Sequence, residues 1–286
     1  MSSNKILLCC DLDRTVLPNG HAPESPQARP LFEKITAREE ITLAYVSGRD
    51  KRLLLEAIDE FHIPVPDFAI GDVGTTLYRI EHGTWREDNN WAEHIGEDWQ
   101  GRQAMELHPL IEDIDALRLQ EPEKQNRYKL SYYADPDIDK DGLLKIIHGR
   151  LEDAQIKANL IWSVDEVNHL GLLDVLPQRA SKRHAIEFLM SLEGFDNEIT
   201  VFAGDSGNDL PVLCSPIPAV LVHNAQPSVR DEAIAGARAH NAPGQLYLAE
   251  GDFFGLNGNY TAGVLEGLAH YQPQAREWIE QALNES

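Results

Sequence analysis

Short apolar segments alternate with helical patterns along most of this chain, and that alternation restricts its fold more than any other feature. The runs Ile-Leu-Leu-Cys-Cys at 6–10, Ile-Thr-Leu-Ala-Tyr-Val at 41–46, Asp-Phe-Ala-Ile-Gly at 67–71, Glu-Ile-Thr-Val-Phe-Ala-Gly at 198–204 and Pro-Ala-Val-Leu-Val at 218–222 read as buried strands. Between them, 28–40, 51–61 and 181–192 carry the apolar spacing of helices. Strands alternating with helices predict an α/β fold, a parallel sheet covered by helices on both faces. Ligands of such sheets gather at the carboxyl ends of the strands.

From Arg79 to Leu176 the texture changes. Helical stretches at 102–119 and 139–154 mix with strands at 127–135, 159–164 and 170–176, as in a small inserted α+β unit. A catalytic core at 1–78 and 177–286, interrupted by an insert at 79–176, follows from this. A hairpin is expected at 75–87, and closing helices at Thr261–Tyr271 and Ala275–Leu283.

Composition excludes several classes. With 42% hydrophobic and 25% charged residues, the 286-residue chain has an ordinary soluble balance. No apolar run approaches the roughly 18 residues of a membrane helix. The amino-terminal run is too short for a secretory signal and ends in acids, so a cytoplasmic location is expected. Cys9, Cys10 and Cys214 make neither a disulfide framework nor a zinc site. Lys and Arg number 25 against 47 Asp and Glu, a formal charge of −22, which argues against nucleic acid. A phosphorylated substrate would be repelled at long range, so local cations or a metal must hold it.

Four polar clusters stand where strands end or helices begin: Asp11-Leu12-Asp13-Arg14-Thr15, Ser47-Gly48-Arg49, Lys182, and Gly204-Asp205-Ser206-Gly207-Asn208-Asp209. Two carboxylates as close as Asp11 and Asp13 repel each other unless a cation or proton intervenes. Asp11, Asp13, Asp205 and Asp209 offer the hard oxygens that Mg²⁺ prefers. The Ser47 hydroxyl, the turn at Gly48 and the Lys182 ammonium suit phosphoryl oxygens. Singly, each cluster has an ordinary reading as a turn, a cap or a solvated lysine. Their order, each beside a predicted strand, is what points to a site.

These residues resemble the haloacid dehalogenase-like phosphatases, whose pattern of Asp-x-Asp-x-Thr, Ser/Thr, Lys and Gly-Asp-x-x-Asn-Asp is met at Asp11/Asp13/Thr15, Ser47, Lys182 and Gly204-Asp205/Asn208-Asp209. The resemblance implies a Rossmann-like core with a C2-type cap between the second and third motifs. Arg14 departs from it, since many members carry glycine there. The segments DLDRTVL, LAYVSGR, QNRYKLSYYADP, DVLPQRASK, FAGDSGNDLPVL and VHNAQP are similar to sucrose-phosphate phosphatases over nearly the whole chain.

That similarity implies hydrolysis of sucrose 6-phosphate through an aspartyl-phosphate on Asp11, with Asp13 as acid and then base. Mg²⁺ would be held by Asp11, the Asp13 carbonyl and Asp205, with Asp209 acting through water. Ser47, Gly48, Lys182 and Asn208 form the implied phosphate-binding set, with Thr15 and Asn208 also supporting the loops. In the insert and just after it, Gln125, Asn126, Lys129, Gln178 and Arg179 are candidates for sugar hydroxyls. Relatives acting on mannosylfructose phosphate leave another disaccharide phosphate, or a broader sugar phosphatase, as the alternative. A sucrose-phosphate synthase is the candidate protein partner, because a related domain is fused to some synthases. A phosphomutase of this fold usually carries its cap between the first two motifs, where this chain has only the span 16–46. A non-catalytic sugar-phosphate binder would fit loss of Asp11 or Asp13, and both are present.

Overall fold

The computed structural model describes residues 5–165 and 168–285; residues 1–4, part of the stretch read for a secretory signal, lie outside them. The chain begins with β1 (Ile6–Cys10), α1 (Ala28–Thr36), β2 (Ile41–Val46), α2 (Lys51–Phe61), β3 (Phe68–Gly71), β4 (Thr76–Glu81) and β5 (Thr84–Glu87). It continues through α3 (Asn89–Gly96), α4 (Ala104–Leu107), β6 (Arg118–Leu119), β7 (Leu130–Ala134), α5 (Lys140–Asp153), β8 (Ala158–Asp165) and β9 (Leu170–Pro177). The last third holds α6 (Lys182–Glu193), β10 (Thr200–Gly204), α7 (Leu210–Leu213), β11 (Ala219–Leu221), α8 (Pro227–Ala239), β12 (Leu246–Leu248), α9 (Thr261–Tyr271) and α10 (Pro273–Asn284).

Eight strands form one sheet in the order β12-β11-β10-β1-β2-β3-β4-β5. The pairs from β12 to β3 are parallel. β1 is central and every one of its residues is buried, which explains its unbroken apolar run. Cys10 lies opposite Ala203 of β10 and Tyr45 of β2. The residues that follow these three positions therefore leave the sheet together, at its carboxyl edge. Leu31, Phe32 and Ile35 of α1 pack in one buried cluster with Leu265 and Leu268 of α9 and Ile279 of α10.

The chain divides into two compact units, Met1–Gly74 with Tyr78–Glu87 and Lys182–Ser286, and Thr75–Leu77 with Asp88–Ser181. Tyr78–Glu87 groups with the first unit because β4 and β5 form an antiparallel hairpin at the edge of the large sheet. The second unit has a four-stranded sheet, β6-β7-β9-β8, with the antiparallel pairings of an α+β unit. Leu143, Ile147 and Leu151 of α5 are buried, as are Trp91 and Trp99, and Trp99 meets the Tyr128 ring edge-on at 5.9 Å.

The stretch 102–119, expected to be helical, forms only α4 and a 3₁₀ turn at His108–Leu110 before β6. Pro109 is the second residue of that turn, and Ile111 at φ −135° and ψ 1° leaves helical space. Among the described residues, no helix is long and apolar enough to cross a membrane.

Candidate active site

The first unit brings Asp11, Asp13, Ser47, Lys182, Asn208, Asp205 and Asp209 to the carboxyl edge of its sheet. Asp11 directly follows β1, and its N–H donates to the Ala203 carbonyl of β10 at 2.8 Å. Just beyond, the Leu12 carbonyl accepts from the N–H groups of Thr15, Val16 and Leu17, reversing the chain. Ser47 follows β2, buried, and its Oγ accepts from the Arg49 N–H at 3.2 Å. Gly48 is exposed beside it.

Lys182, at the start of α6, is buried and reaches three oxygens. Its Nζ lies 2.6 Å from Asp11 Oδ1, 2.7 Å from Asp209 Oδ1 and 3.1 Å from Asn208 Oδ1. The second oxygen of Asp209 accepts from the N–H groups of Asp205 and Ser206, each at 3.0 Å, and from Ser206 Oγ at 3.1 Å. Asp209 is thus committed to holding Lys182 and its own loop. The loop closes this tightly because residue 204 is glycine: a Cβ there would lie 2.6 Å from Asp209 Cγ.

Asp205 is different. Arg14 Nε lies 3.2 Å from its Oδ2, yet its Oδ1 is buried without a hydrogen-bond partner among the described residues. Oxygens of Asp11, Asp205 and Asp209 all lie within 4.8 Å of one another. A buried, unpaired carboxylate oxygen beside two more acids is costly and calls for a cation. The hard oxygen donors suit Mg²⁺.

The electrostatics agree. Burial pushes the Asp11 carboxyl up to about 7; Lys182 opposes this, while Asp209 and Asp205 add to it. Burial also raises Asp205 to about 6, with Arg14 opposing and Asp209 contributing. For Lys182 burial works against the charge, but Asp11 and Asp209 outweigh it and hold the ammonium above its usual range. Asp13 is more exposed. Burial would raise it, but hydrogen bonds and charge from Arg49, then a hydrogen bond from Asn19, keep it below the ordinary carboxylate range.

Arg49, Asn19, Arg14 and Asn224 were not singled out as site residues by their sequence context. Arg49 Nη2 and Asn19 Nδ2 both approach Asp13 Oδ1 at 2.7 Å. In Ser-Gly-Arg the sequence pattern marks the serine and glycine, and the arginine next to a phosphate-type turn is the signal that points to Arg49 as well.

The candidate sugar-binding residues all lie in the second unit. Gln125 donates both amide hydrogens, to the Gln120 and Ser131 carbonyls at 3.1 and 2.9 Å, and accepts from the Ser131 N–H at 2.8 Å. Asn126 donates to Thr75 Oγ1 and accepts from the Tyr128 N–H, each at 2.8 Å. Arg179 Nη1 pairs with Glu97 at 2.5 Å and with the His94 carbonyl at 3.1 Å. These three side chains brace their own unit. Lys129 is half-buried and Gln178 is exposed.

Residues 4–272 match the family described as sucrose-6F-phosphate phosphohydrolase. A HAD-like hydrolase of Nitrosococcus oceani is 56% identical over 282 residues, 99% of this chain and 76% of that protein. Sucrose-phosphatase 1 of Nicotiana tabacum is 28% identical over 279 residues, 94% of this chain but only 60% of the tobacco protein. The sucrose-phosphatase of Synechocystis sp. PCC6803, solved with sucrose and phosphate, superposes with a TM-score of 0.69 at 25% identity, over 93% of this chain and 98% of that one. Fold and site define a haloacid dehalogenase-like phosphatase, a phosphoric monoester hydrolase. Within that class, the chain belongs to the sucrose-6F-phosphate phosphohydrolase family.

Proposed function

We propose that this chain hydrolyses sucrose 6-phosphate to sucrose and phosphate through an aspartyl-phosphate on Asp11, with Mg²⁺ as cofactor. The observation that carries the reading is the Asp11 carboxylate, buried at the end of the central strand with Lys182 Nζ at 2.6 Å. Asp11, Asp205 and the Asp13 carbonyl would hold the cation, with Asp209 supporting through Lys182. When bound, Mg²⁺ neutralises charge on the phosphoryl oxygens and the clustered acids.

Asp11 attacks phosphorus and the bond from phosphorus to the sugar oxygen breaks. Asp13 gives that oxygen its proton, then takes one from the water that cleaves the acyl phosphate, releasing phosphate and restoring Asp11. Ser47, the turn at Gly48 and Lys182 bind the phosphoryl oxygens, and Asn208 steadies Lys182. Lys129 is the foremost candidate for contact with the sugar. A sucrose-phosphate synthase, which makes this substrate, is the proposed partner.

A phosphate-release assay over a panel of sugar phosphates tests the substrate. Sucrose 6-phosphate should show the highest kcat/KM. A higher value for mannosylfructose phosphate, or equal values across monosaccharide phosphates, would replace the sucrose reading.

A further inference from the structure

Asp13 stands at the head of a turn that is held from outside by side-chain amides. Arg14 occupies the left-handed region, φ 59°, which is unfavourable for a residue with a Cβ. Its N–H donates to Asn19 Oδ1 at 2.8 Å, and the same Asn19 amide donates to Asp13 Oδ1 at 2.7 Å. The Arg14 carbonyl accepts from Asn224 Nδ2 at 2.7 Å. Both backbone polar groups of the strained residue are therefore satisfied by asparagines, one local and one from the loop after β11.

Asn224 is in turn fixed by a second element. Its Oδ1 accepts from the N–H of Tyr260 at 2.8 Å. Because an N–H only donates and a carbonyl only accepts, the amide has one orientation. Tyr260 is fully buried, and its hydroxyl donates to the Ala22 carbonyl at 3.0 Å. Asn257 and Asn259 donate to the Pro23 carbonyl at 2.8 and 2.9 Å. A Cβ at Gly20 would lie 2.9 Å from the Tyr260 hydroxyl, so the segment after the turn is packed closely against this strap.

We propose that Asn224 is a positioning residue for the proton-transfer step: its amide locks the Arg14 peptide and so fixes where Asp13 presents its carboxyl. The proposal rests on the reading of Asp13 as the acid. Hydrogen-bond donation is the operative property. An aspartate at 224 keeps an oxygen for the Tyr260 N–H but sets its other oxygen against the Arg14 carbonyl, which repels it.

The test uses two substrates with one nucleophile. A sugar alkoxide leaves poorly and needs protonation, whereas p-nitrophenolate leaves without it. Variants Asn224→Asp and Asn224→Ala should lose kcat/KM, which reports transfer to Asp11 and not the hydrolysis step that both substrates share, at least about tenfold more for the preferred sugar phosphate than for p-nitrophenyl phosphate, as a misplaced general acid predicts. The ratio of the two rates is taken on one sample, so any unfolded fraction cancels. Asp13→Asn, run alongside, should show the same selective loss. If Asp13→Asn is selective and both Asn224 variants lose the two activities equally, the proposal fails while the proposed reaction stands. If Asp13→Asn is not selective, the acid assignment fails and takes the proposal with it. Wild-type-like ratios in Asn224→Asp alone would show that donation to Arg14 is irrelevant, which also overturns the proposal.

Discussion

Arg49 forks the carboxylate of Asp13, with Nη2 2.7 Å from Oδ1 and Nε 2.9 Å from Oδ2. Planar bidentate pairing of this kind favours the ionised acid. Burial opposes it, yet Arg49 and Asn19 keep Asp13 below the usual carboxylate range. Replacing the guanidinium removes the stabilisation of the charged form, so the Asp13 pKa rises. Arg49→Met should shift to higher pH the limb of the kcat/KM profile set by Asp13, which in the wild type lies below the ordinary carboxylate range. An unmoved limb would mean that another group supplies the proton.

Lys182 lies between Asp11 and Asp209, both buried. Removing one partner of a buried ion pair leaves uncompensated charge, at a cost on the order of 3–5 kcal/mol. Lys182→Met should show a loss of that size in denaturant titration at pH 7.5, together with loss of turnover. Acid should recover part of the stability, because Asp11, already raised by burial to about 7, then takes up a proton. A variant as stable as wild type at pH 7.5 would contradict the buried-pair arrangement.

Metal removal and pH are linked through the same acids. Asp11 is pushed to about 7 and Asp205 to about 6, both from 3.8. Between the unfolded and folded values the native state holds protons that the unfolded chain has released. Stability of the metal-free protein should therefore fall as pH rises from about 4 through 7. The proposed Mg²⁺ would bind the ionised acids, so it should raise Tm more at pH 8 than at pH 5. EDTA should abolish phosphate release and Mg²⁺ restore it, with Ca²⁺ a poor substitute because of its looser coordination. Full activity after stripping, or a Tm indifferent to Mg²⁺ at pH 8, would exclude the proposed cofactor.

The parallel sheet was legible because β1, β2 and β10 are continuous apolar runs, and the acidic residues stand where those runs stop. Asp11, Ser47 and Asp205 could thus be placed on one edge from local pattern alone. The β4–β5 hairpin was legible as a hairpin, but its membership in the large sheet was not, since pairing between strands leaves no local signature. β12, three residues long, was missed for want of length. At the site, the partners that decide electrostatics come from far along the chain: Arg49 is 36 residues from Asp13, and Asn224 is 210 from Arg14. Gln125 and Asn126 looked like sugar donors because amides are versatile. Their donors turn inward only once β7 and the 75–77 segment are placed.

The proposed preference for a disaccharide phosphate would rest on the ring that carries no phosphate. Binding energy from a remote group can be used to align the reacting atoms. Fructose 6-phosphate should therefore show lower kcat as well as higher KM than sucrose 6-phosphate. Lys129→Ala should narrow that gap through loss of a hydrogen bond worth about 1–3 kcal/mol. Equal kcat/KM for the two substrates in wild type would replace the disaccharide reading with a broader one.

The most direct measurement is kcat of Asp11→Asn on the preferred sugar phosphate with saturating Mg²⁺. The amide nearly matches the carboxylate in shape but is a far weaker nucleophile, so the fold should persist while turnover falls by several orders of magnitude. Retention of more than about a tenth of wild-type kcat, a barrier change under roughly 1.4 kcal/mol, would contradict covalent catalysis by Asp11.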